Sequence, residues 1–183
     1  GGGVDFVDFN SRNEENFNEE ALRKLDVLLV FHARISERTI EKLDNCKIVV
    51  RYGVGVDNMP LEALKKSGIP LCNTPDYGIE EIAATAAAHI LNLWRRVSAY
   101  DLACRSYESG WAQNIIRPIS RISEGTLGVV GTGRIGAELI RIMSPFGCQI
   151  LGFDEYQPET RAKEIGYTPM QTLEELLAQS DFV

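Results

Sequence analysis

The sequence predicts an α/β protein built on parallel strands, and three observations carry that expectation. Short apolar runs alternate with stretches of helical periodicity along the 183 residues, the pattern left by strands joined through crossover helices. Two Gly-x-Gly turns, beginning at Gly53 and Gly131, each follow an apolar run. Between them lies a span, residues 79–105, without a single Gly or Pro, which divides the chain into two α/β series.

Taken in order, Val4–Phe9 reads as a strand and Glu19–Leu25 as an amphipathic helix. Asp26–Phe31 (DVLLVF) is a near-continuous apolar run, as expected of a parallel strand covered on both faces. Ser36–Leu43 reads as a helix with Ser36 as its N-cap, followed by a strand at Lys47–Arg51, a helix at Leu61–Lys66 and a strand at Ile69–Asn73. Residues 79–105 are rich in Ala and Leu and free of breakers, so one long helix is expected. Its apolar character on several faces places it between two bodies. A loop over Ser109–Glu124, containing Trp111 and Pro118, leads into a strand at 126–131, a helix at 135–143, a strand at 149–153 and a further strand from 181 onward. Neither an internal repeat nor a low-complexity linker interrupts the series.

Composition narrows the function classes. Nineteen Lys and Arg against 26 Asp and Glu give a net charge of −7, which argues against a nucleic-acid partner because phosphate binding requires a basic surface. No apolar run reaches the roughly 18 residues of a membrane span, and nothing resembles a signal peptide. The four cysteines, Cys46, Cys72, Cys104 and Cys148, form no C-x-x-C pair; free thiols in a reducing cytoplasm are the expectation, and no metal site. The chain opens on three glycines without a Met and ends at Val183 as a strand begins, so a piece of a longer protein is expected.

The run Gly131-Thr132-Gly133-Arg134-Ile135-Gly136 closes one strand and opens a helix. In such a turn the first glycine permits the tight bend, the second lets a pyrophosphate approach the backbone, and the third lets helix and strand pack closely. The helix N-terminus adds unpaired N–H groups and a positive dipole. The next strand ends in Asp154, 18 residues past Gly136, near the roughly 20 expected of a ribose-binding acid. A carboxylate there accepts ribose hydroxyls and repels a 2′-phosphate, which favours NAD over NADP. The competing interpretation is an ordinary strand–helix turn with Asp154 as a solvated strand-end residue.

Arg51-Tyr52-Gly53-Val54-Gly55-Val56-Asp57-Asn58 also follows a strand. Its amides could hold a carboxylate, or it could be a simple turn whose Asp57 and Asn58 cap the next helix; the residues alone leave both open. RYGVGVDN, CNTPDYGIEE and GTGRIG, in this order and at these separations, closely resemble the D-isomer-specific 2-hydroxyacid dehydrogenase family. NTPDYGIEEIA, HILNLWRR and FDEYQPE look most like its C-terminal-binding-protein branch.

The resemblance implies two Rossmann/flavodoxin-like parallel-sheet domains, both incomplete here: a partial substrate domain over 1–78 and a partial NAD-binding domain over 79–183, joined by the long interdomain helix. It implies that the Val54 and Gly55 amides hold the substrate carboxylate, that Tyr52 faces the substrate, and that Arg51 contributes to its electrostatics. Val54, Ile82, Val130 to Gly136 and Asp154 would contact NAD. One departure is Ala84-Thr85, where the family often has an acid followed by His.

The Arg, Glu and His of the family's chemistry belong to its last third, so no catalytic residue is expected in this chain and those groups are expected beyond Val183. His32 and His89 match neither role and read as packed or interface residues. Adjacent Glu80 and Glu81 read as helix-start charge, and Trp94 and Trp111 as core or interface aromatics. The implied activity is hydride transfer between NAD and a small 2-hydroxy or 2-keto acid by a cytoplasmic homodimer. An NAD(H)-sensing corepressor-type scaffold of the same branch is the alternative.

Overall fold

The computed structural model describes residues 3–106, 119–157 and 160–183. It falls into two compact units, Gly1–Tyr77 and Gly78–Val183, each an α/β arrangement around its own parallel sheet. Trp111, Pro118 and most of the expected loop lie outside the described residues.

In the first unit, helix α1 (Glu19–Lys24) begins at Asn18, whose side chain accepts from the Ala21 N–H at 2.9 Å. Strands β1 (Val27–Val30), β2 (Ile48–Arg51) and β3 (Leu71–Asn73) pair in that order, all parallel, with Val27 opposite Ile48 and Val49 opposite Leu71. Helices α2 (Glu37–Ile40) and α3 (Leu61–Ser67) are the crossovers. Gly68 ends α3 in the left-handed conformation. Leu22, Leu28, Val30, Ile35, Ile40, Val49 and Leu64 form the core.

Three sequence expectations change here. Val4–Phe9 is irregular rather than a strand: Val4, Phe6 and Val7 are exposed, and only Phe9 packs inward, 4.9 Å from the Phe17 ring. Apolar, β-branched residues do not make a strand without a neighbour to pair with, and Asp8 accepts from the Asn10 N–H where the chain turns. Strand β1 alternates, with Leu28 and Val30 buried and Val27 and Leu29 exposed, so this chain covers only one of its faces. Ser36 stands at the N-cap of α2 without capping it. Glu14 from the preceding chain instead ties down the start of α2, accepting from the Ser36 N–H (2.9 Å), the Ser36 hydroxyl (2.5 Å) and the Thr39 hydroxyl (2.7 Å).

The second unit opens with α4 (Ile79–Arg95), and the expected single helix breaks at Arg96, which adopts a left-handed conformation before α5 (Val97–Ser106). The break is local competition for hydrogen bonds. The Asn92 side chain accepts from both the N–H and the hydroxyl of Ser98, while its carbonyl takes the Arg96 N–H. Then follow β4 (Thr126–Val130), α6 (Arg134–Met143), β5 (Gln149–Phe153), α7 (Thr160–Ile165), β6 (Thr168–Pro169) and α8 (Leu173–Gln179).

Strand β5 pairs with β4 on one side and β6 on the other, while Phe182 bridges to Leu127 on the free side of β4. In chain order this is the 3-2-1-4 arrangement of a doubly wound sheet, with its switch point at the end of β4. Trp94, Leu127, Val129, Ile140, Met143 and Ile150 form the core, and α4 packs on α6. Trp94 is buried, stacks on Phe182 at 4.4 Å and donates to the Ser120 hydroxyl. His89 is exposed on α4, not packed within this unit.

Candidate functional site

The turn after β4 occupies the switch point, where open parallel sheets bind their ligands. Gly131 bends the chain at φ 86° and donates its N–H to the Phe153 carbonyl at 2.8 Å, tying the ends of β4 and β5 together. A Cβ on Gly136 would collide with the Gly131 carbonyl, so helix and strand pack at a distance only glycine allows. A Cβ on Gly133 would meet nothing within 4 Å. Its value therefore lies outside the protein's own packing, in leaving the backbone open to an approaching group. Gly133 is the N-cap of α6 and has no side chain to cap it, and the positive end of the helix dipole lies at this turn. This cradle fits a pyrophosphate, and the fit rests on the glycines themselves.

Asp154, directly after β5, closes the turn. Its Oδ2 accepts from the Thr132 N–H at 2.7 Å and more loosely from the Thr132 hydroxyl at 3.4 Å; its Oδ1 accepts from the N–H groups of Tyr156 (2.9 Å) and Gln157 (3.2 Å). Partial burial works to raise its pKa, but the backbone donors outweigh burial and hold the carboxyl below its ordinary value. Asp154 is therefore charged at neutral pH. Thr132 is fully buried, and its hydroxyl lies 3.1 Å from the Tyr167 hydroxyl. Val130 and Ile135 flank the turn with exposed side chains, and Arg134 begins α6. A cavity of about 400 Å³ opens beside Asp154, lined by Gly152, Gln157, Tyr167 and Met170 among others. Ile82 is exposed in the first turn of α4, beside Glu80 and Glu81.

The other glycine turn lies in the first unit, at the end of β2. Among the described residues, the N–H groups of Val54 and Gly55 have no acceptor within the chain. Two adjacent amides of this kind can take a carboxylate without a charged side chain. Side chains hold the loop: Asn73 donates to the Val54 carbonyl at 2.8 Å, and Arg51 folds back onto the Tyr52 carbonyl. Tyr52 and Val54 are exposed. Asn58 does not cap α3; it donates to the Ala33 carbonyl at 2.8 Å and so links the loops after β1 and β2. The His32 ring lies tilted against Phe31, with centroids 3.8 Å apart. Among the described residues no group of His, Cys, Asp and Glu has the arrangement of a metal site.

Tyr167 escaped sequence reasoning: Thr132 is among the expected cofactor contacts, but Tyr167 lies 35 positions away, so their pairing carries no local signal. The Glu14 contacts to Ser36 and Thr39 are equally nonlocal.

The family model described as "D-isomer specific 2-hydroxyacid dehydrogenase, NAD binding domain" matches residues 87–183, just over half of the chain. A D-3-phosphoglycerate dehydrogenase of Bacillus subtilis is 33% identical over 98% of this chain and 33% of that protein. Its namesake from Methanocaldococcus jannaschii is 32% identical over 90% of this chain and 32% of that protein. Among solved structures, a D-lactate dehydrogenase from Aquifex aeolicus, complexed with NAD and lactic acid, is 29% identical with a TM-score of 0.79; the match covers 92% of this chain and 50% of that one. The chain thus spans about a third of the length of these curated relatives and half that of the solved one. By its matched residues and its sheet, the chain belongs to the D-isomer specific 2-hydroxyacid dehydrogenase family and carries that family's NAD-binding domain.

Proposed function

We propose that the protein carrying this chain is an NAD-dependent oxidoreductase that moves hydride between the nicotinamide and a small 2-hydroxy or 2-keto acid. In this reading residues 79–183 supply the cofactor site and residues 1–78 the site for the substrate carboxylate. The observation that carries the reading is the Gly131–Gly136 cradle closed by the charged Asp154. Val130 to Gly136 would hold the pyrophosphate on backbone N–H groups, and Asp154 would accept the adenosine ribose hydroxyls and repel a 2′-phosphate.

The open amides of Val54 and Gly55 would grip the substrate carboxylate, with Tyr52 facing the substrate and Ile82 lining the cofactor. Bound NAD supplies the hydride acceptor or donor. The groups that move the proton and grip the substrate carbonyl belong, in this reading, to a part of the protein beyond Val183. The exposed apolar side chains of Leu93 and Val97 support a homodimer, and the four free cysteines support a reducing cytoplasm.

Two measurements on the intact protein test the reading. NADH should be consumed on adding a 2-keto acid, and failure across short-chain 2-keto acids would overturn the activity. Asp154→Ala should weaken NADH binding by about tenfold or more, the loss of charge-assisted bonds to two hydroxyls, and narrow the preference over NADPH. Unchanged affinities for both nucleotides would remove Asp154 from the ribose site.

A further inference from the structure

Donors of the chain itself saturate the Asp154 carboxylate. A carboxylate offers about four acceptor positions, and here four donors occupy them: the Thr132 N–H, the Thr132 hydroxyl, and the N–H groups of Tyr156 and Gln157. Two ribose hydroxyls can be accepted only if an internal donor yields. The Thr132 hydroxyl, at 3.4 Å, makes the longest of the four contacts. It cannot simply let go, because Thr132 is fully buried and a buried hydroxyl without an acceptor is costly.

Tyr167 removes that obstacle. Its hydroxyl stands 3.1 Å from the Thr132 Oγ1, and its ring lies against Gly152, where a Cβ would strike it. The phenol is thus held in place by the strand that ends in Asp154. A threonine hydroxyl carries one proton. While that proton points to Asp154, the Tyr167 O–H donates to Thr132; if the Thr132 O–H turns round, the Tyr167 oxygen accepts it, and the Tyr167 proton is free to face the cavity that Tyr167 lines.

We propose that Thr132 and Tyr167 form a two-state hydroxyl relay that releases an acceptor position on Asp154 when the adenosine ribose of NAD(H) binds. Tyr167 is a positioning residue in this scheme, acting through Thr132. The inference rests on the reading of Asp154 as the ribose acid.

The test is a double-mutant cycle on the intact protein, read as the dissociation constant for NADH from nucleotide fluorescence. Tyr167→Phe should weaken NADH binding roughly tenfold, because the displaced Thr132 proton then has no acceptor. In a Thr132→Val background, where no hydroxyl needs rehousing, adding Tyr167→Phe should change affinity less than about twofold. Thr132→Ser keeps the hydroxyl and should restore the full sensitivity to Tyr167→Phe.

Equal losses from Tyr167→Phe in the Thr, Ser and Val backgrounds would overturn the relay and leave Tyr167 a packing residue, as would no loss in any of them. Asp154→Asn separates the two ideas. If it leaves NADH binding intact, the ribose reading itself fails; if it weakens binding while the cycle shows no coupling, only the relay fails.

Discussion

The two glycine turns begin alike and are built differently. Each follows a parallel strand and presents backbone N–H groups, yet the turn after β4 rests on close glycine packing with one carboxylate closing it, whereas the turn after β2 has no such packing and adds several side chains to its backbone bonds. In the former, Gly136 presses on the Gly131 carbonyl and a helix follows at once. In the latter, Asn73, Asn58 and Arg51 hold an irregular loop, and the next helix begins only at Leu61. Glycine spacing therefore says that a backbone can be approached; the element that follows decides whether a dipole stands behind it.

That contrast can be broken by substitution. Gly136→Ala should have the largest effect, a loss of about 3 kcal/mol from forcing a methyl against backbone, seen as a lower melting temperature with NADH binding reduced in parallel. An unchanged melting temperature would mean that helix and strand are not fixed at glycine distance. Gly133→Ala separates fold from binding. Its Cβ enters open space at φ −63°, so stability should hold within about 0.5 kcal/mol while NADH affinity falls by roughly tenfold from lost approach.

In the first unit, Glu14→Gln should cost about 1 kcal/mol, as for the weakening of charge-assisted hydrogen bonds. Its contacts to Ser36 and Thr39 outweigh burial and hold the Glu14 carboxyl below its ordinary value. The ionised form therefore favours the fold above the ordinary carboxylate range, and that advantage disappears as pH falls through the lowered folded-state pKa. Denaturant melts of wild type and Glu14→Gln should thus converge in acid, and a gap that persists there would rule out the charge. Asn73→Ala should be the smallest change, about 0.5 kcal/mol for one exposed hydrogen bond. It should appear as a raised KM for the keto acid; an unchanged KM would deny that the Asn73 bond sets the carboxylate-binding amides.

How far the sequence reaches follows the same division. Strands β2, β4 and β5 and helix α6 are legible because their apolar period, their glycines and their caps are all local. The GTGRIG turn and Asp154 are legible for the same reason. The break at Arg96 is not, because it depends on the Asn92 side chain accepting from Ser98, six residues on. Val4–Phe9 misleads because its composition suits a strand that has no partner. Thr132–Tyr167 and Glu14–Ser36 are contacts between residues far apart in the chain, and periodicity carries no information about them.

The stacking of Trp94 on Phe182 gives the second unit an optical gauge. The indole is buried, its N–H held by Ser120, and one of its ring neighbours arrives only when the chain crosses behind β4 to pair at Leu127. In the absence of nucleotide, light emitted by Trp94 thus reports whether the last stretch of this chain has docked. With Trp111 replaced by Phe, that single fluorophore can time the closing of the sheet against the forming of the glycine turn on its far side.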